Sequence, residues 1–103
     1  MASEFGGVSR RRYERATGPF DGLLEDRVLV YDLNLGGCFV NSARKSPEGT
    51  TSILKINLPQ EGWISVSAET LYHLEHGFAV RFLALDGDTE ARIARTVDAF
   101  RRR

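Results

Sequence analysis

Two short polar segments near the start of this 103-residue sequence carry side chains suited to binding an anionic ligand. Arg11 and Arg15 are four residues apart, and a second segment with Asp32, Asn34 and Gly37 begins seventeen positions after Arg15. An arginine fork matches phosphate oxygens and the O6/N7 edge of guanine, whereas lysine cannot bind the latter bidentately. A carboxylate can accept from the N–H groups of a guanine, and an amide both donates and accepts. The expected ligand is therefore a guanine nucleotide with more than one phosphate.

Each segment also has an ordinary structural interpretation. An arginine cluster on a chain terminus is usually a solvated arm. The pattern Asp-x-Asn-x-x-Gly-Gly is common in hairpin turns, where Asp and Asn side chains bond to nearby backbone N–H groups. Both interpretations stay open for Asp32 and Asn34. The order of the two segments, ahead of a regular strand pattern, favours binding.

Composition and charge limit the class of protein. The chain is 42% hydrophobic and 27% charged, which is typical of a soluble globular domain and excludes a wholly disordered chain. Its formal net charge is +0, so no overall field favours nucleic acid or an anionic membrane. The single cysteine, Cys38, excludes an internal disulfide, and in a strand-like run we expect it to be buried and unreactive. No apolar stretch reaches the ~20 residues of a membrane span, and the N-terminus lacks a signal-peptide core, so we predict a cytoplasmic protein without membrane insertion.

The distribution of apolar residues predicts a mainly β domain. Residues 1–9 show no periodicity and are expected to form a flexible tail. Residues 10–103 are expected to form one domain, with a ligand-binding arm at 10–19, a barrel at 20–85 and a helix at 87–102. Within the barrel region, alternating apolar and polar residues predict five or six antiparallel strands with short turns, which favours a small closed barrel.

One hairpin contains the polar residues of interest. A strand at 28–33 is followed by Asn34-Leu35-Gly36-Gly37, and a further strand begins at Cys38. The Gly36-Gly37 pair permits positive φ, so the chain can reverse sharply there.

The longest strand runs from Trp63 to about Leu74. Its alternation predicts that the following residues form one row, opposite Ser65, Ser67, Glu69 and His73: Ile64, Val66, Ala68, Thr70, Tyr72 and Leu74. After Leu85 the spacing becomes helical. The segment Asp86-Gly87-Asp88-Thr89 offers N-cap residues, and an apolar stripe of Ile93, Val97 and Phe100 is expected to dock on the barrel.

No arrangement of residues predicts catalysis or a metal site. His73 and His76 are three residues apart, an offset that in a strand directs the rings to opposite faces, and no cysteine or carboxylate cluster completes a metal site. The Ser, Cys and His residues are not ordered into a nucleophile and a base. We therefore expect no enzymatic activity, no metal and no cofactor.

The order of motifs resembles the PilZ domain, the bacterial receptor for cyclic di-GMP. The family motif is Arg-x-x-x-Arg, followed by Asp or Asn, x, Ser, x, x, Gly. Arg11 and Arg15 fit the first part in the only register available, and Asp32 and Gly37 fit the second. Asn34 stands at the position where the family has Ser.

The resemblance runs from Arg10 to about Phe100, nearly the whole chain. It implies a six-stranded antiparallel β-barrel of the PilZ-like split type with one C-terminal α-helix. It also implies that Arg11 and Arg15 hold guanine and phosphate, while Asp32 and the residue at position 34 contact the base from the barrel surface. The residues predicted to bind cyclic di-GMP are Arg10, Arg11, Arg15, Asp32, Asn34, Gly36 and Gly37.

The leading functional prediction is a cyclic di-GMP receptor or adaptor whose arm changes conformation on binding and signals to an unidentified protein partner. The alternative is a PilZ-like protein-interaction module that does not bind nucleotide, for instance in pilus or motility machinery. Asn34 and the short segment between Arg15 and Asp32 favour this alternative. A weaker third reading, an arm that binds RNA or DNA, is opposed by the neutral total charge and by the lack of an evident platform of exposed aromatic residues.

Overall fold

The structure is a computed structural model and describes residues 15–101. The elements in chain order are β1 (Phe20–Leu24), β2 (Asp26–Tyr31), β3 (Gly37–Asn41), β4 (Thr51–Leu58), β5 (Gly62–Leu74), β6 (Gly77–Leu83) and α1 (Gly87–Arg101). The strands pair antiparallel in the order β1-β2-β3-β6-β5-β4, and pairing of β1 with β4 closes the barrel. The predicted six-stranded antiparallel barrel with one C-terminal helix is confirmed. No helical segment between residues 15 and 101 has the length and apolar character that a bilayer crossing requires.

The barrel core follows from the period-two alternation of the strands. Every second residue points inward, because successive side chains in a strand lie on opposite faces. The inward residues are buried and almost all apolar: Val28 and Val30 in β2, Leu54, Ile56 and Leu58 in β4, Ile64, Val66 and Ala68 in β5, and Phe78 and Val80 in β6. This interior gives the outer face a rigid support.

The helix α1 begins where the sequence predicts. The Asp86 carboxylate accepts a hydrogen bond from the Thr89 backbone N–H at 2.7 Å, as an N-cap does. This bond lowers the pKa of Asp86. Ile93 is fully buried against the barrel, and the ring of Phe100 packs on Phe20 of β1 at a centroid distance of 5.4 Å. The helix reaches Arg101, the last residue that the structure describes.

The predicted row of β5 side chains is correct only as far as Thr70. Thr70 is paired with Val80, but Tyr72 rather than Leu71 is paired with Ala79, so β5 contains one extra residue at this point. Such a β-bulge reverses the alternation of faces. Tyr72 and Leu74 therefore lie on the outer face, 50% and 48% exposed.

An ion pair ties α1 to the turn between β4 and β5. Arg95 donates from Nε and Nη2 to the two carboxylate oxygens of Glu61, at 2.9 Å each, and Arg92 donates to the Glu61 backbone oxygen at 3.3 Å. The hydrogen bond from Arg95 and the positive charges of Arg95 and Arg92 lower the pKa of Glu61.

We expect Glu61→Gln to reduce the free energy of unfolding at neutral pH. Because the pKa of Glu61 is lower in the folded state, the stabilisation is complete above the unfolded pKa near 4.5 and is lost as the pH falls through the folded pKa. In urea titrations, the difference in the free energy of unfolding between wild type and variant should therefore shrink as the pH is lowered below 4.5. Glu48→Gln is the control, since Glu48 is exposed and makes no ion pair within residues 15–101. A pH-independent difference for Glu61→Gln would contradict this role.

Candidate functional site

The turn between β2 and β3 is shaped by the side chain of Asn34. Its Oδ1 accepts hydrogen bonds from the backbone N–H groups of Gly36 at 2.7 Å and Gly37 at 3.0 Å. The backbone N–H of Asn34 also donates to the Gly37 carbonyl at 3.0 Å. Because the oxygen faces both backbone donors, the two N–H groups of Nδ2 point away from the turn. They make no hydrogen bond with any residue between 15 and 101.

Neither Gly36 nor Gly37 uses the positive φ that a glycine permits. The left-handed residue of this hairpin is Asp32, with φ of 56°, a conformation that Asp and Asn tolerate better than most residues. Gly37 is needed for a different reason: a Cβ there would collide with the Val80 carbonyl oxygen and lie 3.0 Å from the Arg81 Cα. At Gly36 a Cβ would meet only the Asn34 Oδ1, at 3.3 Å.

Backbone hydrogen bonds place Arg15 beside this turn. Ala16 and Leu33 exchange two hydrogen bonds of 2.8 Å, and the Asp32 N–H donates to the Thr17 carbonyl at 3.3 Å. The Arg15 Nε lies 4.0 Å from the Asp32 Oδ1, and both side chains are about half exposed. An exposed pair at this distance is weak. Arg15 therefore stands next to Asp32 without being bound firmly to it.

Five of the seven predicted ligand-binding residues line one open cleft of about 500 Å³: Arg15, Asp32, Asn34, Gly36 and Gly37. The other two, Arg10 and Arg11, lie outside the described residues. The volume falls within the range of ~300–1,000 Å³ that is usual for small-molecule sites. The cleft extends from the turn across the outer faces of β3, β6 and β5.

The floor of the cleft includes side chains that the sequence interpretation missed. Phe39, Ala79 and Tyr72 are neighbours in one row across β3, β6 and β5. Ala79 is the smallest of the three, so the row has a low centre between two aromatic rings. Tyr72 reaches this face only because of the bulge in β5, for which the sequence carries no glycine or proline signal. The structure thus exposes an aromatic residue that the alternation pattern assigned to another row.

A second row of the cleft carries charge. Arg81 of β6 lies between Gly37 of β3 and Glu69 of β5. The Nε of Arg81 donates to the Glu69 Oε1 at 2.6 Å. Alternation of Arg81 with its apolar neighbours predicts an outward side chain, but its position beside Gly37 follows only from the strand register.

Cys38 is buried, as expected, although its strand borders the cleft. Burial, and to a lesser degree the charge of Asp32, raise the pKa of the Cys38 thiol. The residue is therefore a neutral thiol at physiological pH, and a neutral thiol is a poor nucleophile.

The described part of the chain offers no group of three or more His, Cys, Asp or Glu side chains placed to hold a metal ion. The Nε2 of His73 donates to the Ser46 carbonyl at 2.7 Å, and His76 lies 3.9 Å from Glu75. The neighbour of His73 is therefore a backbone carbonyl, and that of His76 is a single adjacent carboxylate.

Comparison with known proteins identifies the family. The sequence model of the PilZ domain family matches residues 9–99 of this chain. Among solved structures, the chain is similar to the PilZ domain with c-di-GMP of YcgR from Escherichia coli, with a TM-score of 0.70 and 23% identity over 90% of this chain and 92% of that one. It also resembles YcgR in complex with c-di-GMP from Escherichia coli (TM-score 0.68, 24% identity, 85% of this chain), where it spans 43% of that longer chain.

A third similar structure is the uncharacterised Legionella protein Lpg0364, with a TM-score of 0.58 and 11% identity over 85% of this chain and 88% of that one. A search of curated proteins found no match. Because their sequences are 11–24% identical to this chain, the solved structures support the assignment of the fold alone.

We expect Gly37→Ala to destabilise the protein by about 1–3 kcal/mol, because the added methyl group overpacks the contact between β3 and β6. Gly36→Ala is the matched control, since its methyl group meets only the end of the Asn34 side chain and should cost less. Urea unfolding followed by circular dichroism measures both. Equal stability of wild type and Gly37→Ala would show that the close approach to Val80 is not needed.

Proposed function

We propose that this chain, which belongs to the PilZ domain family, is a non-enzymatic receptor for cyclic di-GMP. The observation that carries the proposal is the convergence of Arg15, Asp32 and the Asn34 amide on one cleft. These groups come from two segments that the backbone hydrogen bonds between Ala16 and Leu33 hold side by side. The YcgR structures in complex with c-di-GMP support the same ligand class for this family member.

The proposed roles follow from the donors and acceptors of each group. The Asp32 carboxylate accepts from the N–H groups of a guanine, and the Arg15 guanidinium donates to a phosphate or to the O6/N7 edge. The Nδ2 group of Asn34 donates to an acceptor of the base or phosphate. A serine hydroxyl has only one proton to donate, so Asn34 offers one donor more than the family residue.

The glycines have a different part in the proposed site. Their backbone N–H groups are occupied by the Asn34 oxygen, so we assign Gly36 and Gly37 the role of keeping the surface flat. The adjoining row of Phe39, Ala79 and Tyr72 then offers a planar base an apolar support, since aromatic rings stack favourably on nucleobases.

Arg10 and Arg11 belong to the proposed site through the motif. Arg11 is four residues before Arg15, and Arg10 precedes it directly. On ligand binding, the arm at 10–19 would close over the nucleotide, and the weak contact between Arg15 and Asp32 would be exchanged for contacts to the ligand. We propose that a downstream protein recognises the altered surface of the arm.

A second candidate function is a protein adaptor that does not bind nucleotide. The observation that favours it is that the Asn34 oxygen accepts hydrogen bonds from two backbone N–H groups. Stabilising the turn is by itself enough to explain an asparagine at this position. The two candidate functions differ in whether the Nδ2 donors of Asn34 bind a nucleotide.

We expect calorimetry to detect cyclic di-GMP binding by the wild type and a loss of about tenfold to hundredfold in affinity for Arg15→Ala, because one bidentate arginine is removed. Arg27→Ala is the matched control, since Arg27 is exposed on β2 but does not line the cleft. No binding by the wild type at high micromolar ligand would exclude the receptor function.

Two substitutions at position 34 separate the receptor from the adaptor. Asn34→Asp keeps an oxygen for the turn but replaces both Nδ2 donors with a second acceptor, so we expect a folded protein with at least about tenfold weaker binding. Asn34→Ser retains one donor and should bind more tightly than Asn34→Asp. Binding that appears only in Asn34→Ser, and not in the wild type, would instead establish the adaptor.

A further inference from the structure

We propose that Arg81 contributes a further guanidinium to the cyclic di-GMP site, directed at a phosphate, and that Glu69 is the positioning residue that holds it there. This inference rests on the proposed function. It differs from the motif-based site because Arg81 lies on the barrel, some forty residues after the motif ends at Gly37.

The first observation is the position of Arg81. It lines the same cleft as Arg15 and Asp32. Its cross-strand neighbour toward the turn is Gly37, which has no side chain, and its other neighbour is Glu69. The path from the Arg81 guanidinium toward the turn is therefore not blocked by a side chain of β3.

The second observation concerns its donors. Among the described residues, 15–101, the one partner of the Arg81 guanidinium is Glu69, whose Oε1 accepts from Nε at 2.6 Å. Within residues 15–101 the two Nη groups make no hydrogen bond, and the Arg81 side chain is 58% exposed, so these groups are accessible to a ligand. A guanidinium held at one edge and free at the other is arranged to donate a pair of hydrogen bonds to a phosphate. The fixed edge also reduces the side-chain entropy that binding would cost.

The third observation is the charge of the cleft. Its charged residues in the described part of the chain are Arg15, Asp32 and Arg81. Arg15 and Asp32 cancel in charge, and the ion pair with Glu69 compensates the charge of Arg81, so Arg81 contributes donor groups to the cleft rather than a net positive sum. A cyclic dinucleotide carries two phosphates, which need cationic donors. The Glu69 carboxylate lies on the side of Arg81 away from Gly37, so it does not stand between Arg81 and the turn.

The test is calorimetry with cyclic di-GMP on the wild type, Arg81→Gln and Arg81→Lys, with Arg27→Gln as an arginine control outside the cleft. We expect Arg81→Gln to bind at least about tenfold more weakly than the wild type and Arg27→Gln to bind equally well. Arg81→Lys should recover much of the loss, because a lysine serves a phosphate as a point charge. If Arg81→Lys is as weak as Arg81→Gln, the phosphate assignment is wrong.

Failure of this inference is distinguishable from failure of the receptor function. If the wild type binds and Arg81→Gln binds equally well, Arg81 has no part in the site, while the receptor function stands. If the wild type does not bind, both are overturned. Circular dichroism melts establish that each variant is folded.

A second measurement needs no substitution at Arg81. In the wild type, the Nε–H resonance of Arg81 should shift during a cyclic di-GMP titration, and an unchanged resonance at saturation would exclude the contact.

For Glu69, we expect Glu69→Ala to weaken binding in the wild-type background but to add nothing in the Arg81→Gln background. A purely structural Glu69 would weaken binding equally in both.

Discussion

The bifurcated hydrogen bond from the backbone of Gly36 and Gly37 to the Asn34 side-chain oxygen is the interaction on which the proposed site depends. It fixes the turn in which Asp32 is left-handed and starts β3 at Gly37, where the strand approaches the backbone of β6 closely. The same interaction determines which way the Asn34 amide points. Asn34, which stands where the family motif has Ser, therefore supports the turn through its oxygen and carries one donor more than a serine hydroxyl.

The closed barrel brings the parts of the cleft together from distant positions in the chain. The Ala16–Leu33 bridge carries the end of the arm to the turn. The bulge in β5 turns Tyr72 outward, and the pairing of β6 with β3 and β5 places Arg81 between Gly37 and Glu69. Because these contacts are set by strand register, the described part of the cleft is formed by the barrel itself; a response of the arm to ligand is part of the proposed function.

Much of the fold is predictable from the sequence, because alternation within strands and the helical spacing after Leu85 are local signals. The barrel, the helix and the neighbourhood of Arg15 and Asp32 follow from these signals and from the motif. The reversal of faces after Thr70 does not, since a single inserted residue leaves no compositional trace. The Arg81–Glu69 pair depends on register across two strands, which one sequence without its pairing cannot specify.

The most direct test is a two-dimensional ¹H–¹⁵N NMR titration of the full chain with cyclic di-GMP. We expect the backbone amides of Arg15, Gly36 and Gly37 and the Asn34 side-chain amide to shift together and to saturate. The indole N–H of Trp63 should stay unchanged, because Trp63 is at the opposite end of β5 from the cleft. A spectrum that does not change at high micromolar ligand, or one in which only residues remote from the turn respond, would contradict the proposed site.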